Sequence, residues 1–135
     1  MNDFRVWYPM IWFVAICWTL LAGQSEELAG ADAIQNPDKV ACIFAENPVM
    51  RSLTMSKSPL VESLDSLAKA GVPLLHDCGS LDPWLAGHTR LVEQKYKALG
   101  GKITVIIKEG QGHFPLKPED PKVVVDFITL SAIHR

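Results

Sequence analysis

Two residues in this chain are placed to handle a proton. Asp82 lies in the run GSLDP and His113 in the run GQGHFP. A carboxylate that hydrogen-bonds one imidazole nitrogen fixes the ring's tautomer. It also stabilises the imidazolium formed when the other nitrogen takes up a proton. Glycine, serine and proline flank both residues, so both backbones can turn sharply. Blander readings stand beside this one. Asp82 could cap the helix that follows it, and His113 could be a surface loop histidine.

The neighbouring polar residues are weighed in the same way. His76 and Asp77 are adjacent in an apolar run, and alternation puts them on opposite faces of a strand. His76 is expected to be buried and satisfied. Asp77 is the fallback acid should Asp82 point away. Cys78 is a possible thiol nucleophile, though it sits on the acid strand. Trp84, just after Pro83, either lines a pocket or packs on the adjacent helix. Three cysteines are present, Cys17, Cys42 and Cys78. Cys42 and Cys78 read as small buried hydrophobes on neighbouring strands rather than as a disulfide. There is no CxxC and no Cys/His spacing for a metal, so no metal or cofactor is expected.

The elements that must position these loops alternate in type. Lys39 to Ala45, KVACIFA, is a short apolar run typical of a strand buried on both faces. Glu46 to Lys57 lacks periodicity and reads as a loop. A helix opens at Pro59 with Ser58 as its cap, presents Leu60, Leu64, Leu67 and Ala68 on one face, and ends at Gly71. Val72 to Asp77, VPLLHD, is a second apolar strand, followed by the loop CGSLDP. A second helix covers roughly Ala86 to Leu99, with Val92, Tyr96 and Leu99 on one face. Lys102 to Lys108, KITVIIK, is the clearest strand, with β-branched residues through its centre. The loop containing His113 follows. A last helix begins between Pro118 and Pro121, with Val124, Phe127 and Ile128 facing inward. Alternation of this kind predicts an α/β fold with about three parallel strands and right-handed crossovers. Catalytic groups gather at the carboxyl ends of such strands, where both candidate loops fall.

With the order of elements and loops in view, the chain resembles the C-terminal part of the α/β-hydrolases. The resemblance rests on GVPLLHDCGSLDP, a helix, and GGKITVIIKEGQGHFP, in that order, and on NPDKVACIFAENP before them. It covers roughly residues 28 to 129. It implies a partial α/β-hydrolase fold in which Asp82 matches the triad acid and His113 the triad base. The family cleaves esters, thioesters or amides with a serine nucleophile and needs no cofactor. Its order along the chain is serine, then acid, then histidine. The family's G-x-S-x-G elbow has no counterpart here. The nearest run, Gly23-Gln24-Ser25-Glu26-Glu27, lacks the second glycine, and Glu27 would crowd the helix packing. The expectation is thus a truncated hydrolase domain carrying acid and base without its nucleophile. The alternative is a non-catalytic module.

Composition narrows the class further. The chain has 135 residues, a formal net charge of −2 and 48% hydrophobic residues. That length allows one small domain. Charge is balanced and no Lys/Arg-rich block occurs, so nucleic acid is not an expected partner. The lysines read as solvated residues in helix and strand-edge contexts. Residues 6–22 carry no charge, and small residues Gly23 and Ser25 precede the Ser25–Glu26 bond. This is the layout of a signal peptide, giving residues 1–25 as a signal segment and 26–135 as the hydrolase-like domain. The protein would then be secreted or periplasmic. Membrane anchoring by residues 6–22 is the alternative, at the short limit of a bilayer span. Expected partners are a small ester or amide substrate and a second copy joined through exposed sheet edges.

Overall fold

The computed structural model describes residues 16–18, 33–49 and 63–134. Its centre is a parallel sheet of four strands in sequential order: β1 (Ile16–Trp18), β2 (Ile43–Glu46), β3 (Leu74–Gly79) and β4 (Ile103–Lys108). Helix α1 (Leu64–Lys69) lies between β2 and β3. Between β3 and β4 a π-helical turn, Leu85–Arg90, runs into helix α2 (Leu91–Ala98). Helix α3 (Pro121–Ile133) closes the chain. The α/β alternation is therefore as the sequence implies. The sheet is one strand wider, because Ile16–Trp18 pairs in parallel with Ile43–Ala45. The rest of the apolar run, Ser25, and the helix start at Ser58 and Pro59 lie outside the described residues.

The register aligns Ile43, Leu74 and Ile103 across three strands, and Phe44, Leu75 and Thr104 one step along. Because strand side chains alternate, each row serves one face of the sheet. Ile43, Ala45 and Leu74 pack with Leu64 and Leu67 of α1 and with Val92 and Tyr96 of α2. Phe44 and Leu75 pack with Val124 of α3, against which Ile106, Phe127 and Ile128 also lie. Two helices on one face and one on the other follow from the chain path. Successive right-handed crossovers moving one way along a sheet fall on the same side. All four residues of β2 and all six of β3 are buried, as a covered parallel sheet requires.

Local sequence explains where the elements stop. Gly71, at φ 71°, ends the α1 turn in a left-handed conformation that costs glycine little. Asp120 caps α3 by accepting the Lys122 N–H at 2.8 Å, with Pro121 in the first turn. Tyr96 is fully buried, and its hydroxyl donates to the Val72 carbonyl at 2.5 Å, tying α2 to the entry of β3. Burial pushes that hydroxyl up to about 12. Leu99, expected on the same face, is exposed instead, because the helix ends at Ala98.

Candidate active site

The site is built at the carboxyl ends of β3 and β4, which lie side by side. Beyond β3 the chain turns through Ser80 and Leu81. The Ser80 N–H donates to the Lys108 carbonyl at 3.0 Å, and the Leu81 N–H to the Gln111 carbonyl at 2.9 Å. These bonds lace the loop after β3 to the loop after β4. Gly79 makes the close approach possible. A Cβ at that position would meet the Gln111 oxygen at 2.3 Å and the Gly112 oxygen at 2.4 Å.

Asp82 and His113 meet across this seam, with His113 Nδ1 2.9 Å from Asp82 Oδ2. The Asp82 side chain is fully buried, and that of His113 is 15% exposed. The aspartate also does what the bland reading asked of it. Its Oδ1 accepts the Trp84 N–H at 2.8 Å, shaping the entry to the π-helical turn. One oxygen thus organises the backbone and the other faces the imidazole. With Nδ1 held, Nε2 is the ring atom left for proton exchange. Phe114 stands edge-on to the His113 ring at a centroid distance of 4.7 Å. Among the described residues His113 bonds to Asp82 and Asn47, and no serine or cysteine is bonded to its ring.

The other candidates are placed elsewhere. Cys78 is buried, and its thiol lies 3.6 Å from Asp82 Oδ2. Burial pushes that thiol up to about 11, so it stays protonated at neutral pH. Cys42 is also a free buried cysteine, raised by burial. Trp84 is exposed, and its ring tilts against that of His88 at 5.3 Å, which is a packing contact. His76 is buried as expected, but its Nδ1 has no hydrogen-bond partner, contrary to the satisfied histidine anticipated. Burial lowers it to about 4, with Glu93 opposing.

Asp77 does not approach His113. It lies on the α3 side of the sheet in a buried ion cluster that sequence reasoning missed. Lys108 is 0% exposed, so the reading of the lysines as solvated fails here. Its ammonium donates to Glu46 Oε1 at 2.9 Å and to the Lys117 carbonyl at 3.1 Å. Asp77 Oδ1 lies 3.8 Å from it, and Asp77 Oδ2 accepts the Glu119 N–H at 2.8 Å. Glu46, Asp77 and Lys108 all fall on the α3 face by alternation. Asn47, read only as loop, is buried beside the site and bonds to both loops. Among the described residues no group of three or more His, Cys, Asp or Glu could hold a metal ion. No helix among them is long and apolar enough to cross a membrane.

No protein-family model and no curated protein matches the chain. Among solved structures it is similar to a Bacteroides ovatus protein provisionally named a dipeptidyl aminopeptidase IV. The identity is 16% and the TM-score 0.48, and the match covers 80% of this chain. The chain spans 17% of the length of that protein. A likeness at this level does not bear on activity.

Proposed function

We propose that this chain is the acid-and-base portion of a serine α/β-hydrolase, acting on an ester, thioester or amide bond. His113 takes a proton from an attacking serine and returns it to the leaving group, while Asp82 orients the ring. The observation that carries the reading is the 2.9 Å contact between Asp82 and His113, made by adjacent loops at adjacent strand ends. The order of the sequence motifs supports it. The serine would come from residues outside those described or from another chain. Fluorophosphonate labelling of the purified full chain, with turnover of a p-nitrophenyl ester, tests this. Labelling that disappears in His113→Ala supports it. No labelling and no turnover would defeat catalysis by this chain alone.

A second reading, an interaction module without catalysis, has its own observation. Among the described residues β4 is an edge strand, and α3 exposes Val123, Val125, Leu130 and Ile133. A dimer in sedimentation, dispersed by charged substitutions at Val125 and Ile133, supports self-association through this side. Export is a further part of the proposal, from the charge-free run at residues 6–22. Cleavage after Ser25 and the pairing of Ile16–Trp18 with β2 exclude each other in one mature molecule. N-terminal sequencing of the mature protein decides between them.

A further inference from the structure

The two halves of the Asp82–His113 pair arise from different strands, so something must set the gap between them. Asn47 touches both sides. It directly follows β2, is 1% exposed, and has φ at 43°. A non-glycine residue in the left-handed region is uncommon, and asparagine is among the types that tolerate it. Its backbone N–H donates to the Asp77 carbonyl at 2.8 Å. Its side-chain Oδ1 accepts the Gly79 N–H at 2.9 Å, and its Nδ2 donates to the His113 carbonyl at 2.7 Å. Gly79 in turn carries the acid's turn, because the Asp82 N–H donates to the Gly79 carbonyl at 3.1 Å.

We infer that Asn47 is a positioning residue for the Asp82–His113 pair, gripping the acid's loop at Gly79 and the base's loop at His113. The carboxamide suits this chemically. One planar group offers an acceptor to an N–H and a donor to a carbonyl. Aspartate has no donor for the His113 carbonyl, and glycine has neither group. The two backbone partners also settle which end of the amide is which. Asn47 acts through the His113 main chain and not on the ring. The inference rests on the reading of Asp82 and His113 as a working pair.

Proton NMR of the full chain tests it, through the downfield resonance of the His113 Nδ1 proton shared with Asp82. Asp82→Asn assigns the resonance by abolishing it. Asn47→Gly keeps the left-handed backbone but removes the carboxamide. Tyr96→Phe removes a buried bond at the other end of β3 and serves as the control for general loosening. The expected result is a resonance in wild type and Tyr96→Phe that is lost or broadened in Asn47→Gly while circular dichroism stays native. Should Asn47→Gly fail to fold, Asn47→Asp, which keeps the acceptor toward Gly79, is read in the same way. An unchanged resonance in the folded Asn47 variant would overturn the inference alone. Its absence from wild type would overturn the pairing of Asp82 with His113, and the inference with it.

Discussion

His76 and Asp77 are neighbours on β3, both buried, yet their surroundings differ completely. His76 faces the helices α1 and α2, with an unpartnered Nδ1, and burial drives it down to about 4. Asp77 faces α3, where Lys108 and the Glu119 N–H await it. The comparison extends to the whole of each face. Leu64, Leu67, Val92 and Tyr96 close the first face and are each no more than 3% exposed. On the second, Val124 is the one residue of α3 that is buried, at 8%. A buried ionisable group must lose its charge or find a counter-charge. The densely packed face takes the first course and the thinner face the second.

The largest effect expected from this contrast is at Lys108. Lys108→Met leaves Glu46 and Asp77 buried without their cation, and should cost about 3–5 kcal/mol of unfolding free energy. Urea denaturation measures it. A loss no larger than at a surface ion pair would break the contrast between the faces.

The next effect belongs to His76. Below pH ~6.5 the unfolded chain binds a proton there that the folded chain refuses until about pH 4. Stability from this group is complete above the unfolded value and is lost as pH falls across that window. The loss approaches about 3 kcal/mol. His76→Leu should remove this part of the acid slope, as seen in urea midpoints between pH 7 and 4 relative to wild type. An identical slope in both proteins would mean that the folded state already accommodates the charge.

Smaller still is Tyr96→Phe, which leaves the Val72 carbonyl without its donor and should cost about 1 kcal/mol in the same assay. Lys69→Ala sets the floor. Lys69 pairs with Asp65 at 3.3 Å in the open, so its removal should change stability by less than ~0.5 kcal/mol.

Parts of this were legible in the sequence because they depend on local pattern. The β-branched centre of KITVIIK marks β4 without help from the rest of the chain. Asp82 and His113 stand out because turn-forming residues surround them. Lys102 and Lys108 show the limit of such reasoning. Both flank that same apolar run, yet Lys102 is exposed and Lys108 is buried. What separates them is Glu46, 62 residues away in sequence, and no local pattern carries that contact. Asn47 escaped for a similar reason. An asparagine between an apolar strand and Pro48 signals a turn, but not that its side chain spans two other segments. The π-helical turn after Trp84 has no periodicity to betray it. It opens just after the point where Asp82 accepts the Trp84 N–H.

The bond from Lys108 to the Lys117 carbonyl has a consequence for engineering. It joins the two ends of the segment that carries His113, clasping the loop at its neck, below the point where Asn47 holds it. A loop fastened at the neck is a cassette. Replacements of the stretch Glu109–Leu116 need the same span and the same carbonyl positions at Gln111 and His113, which Leu81 and Asn47 grip. New reactivity could then be grafted at this corner without redesigning the scaffold beneath it.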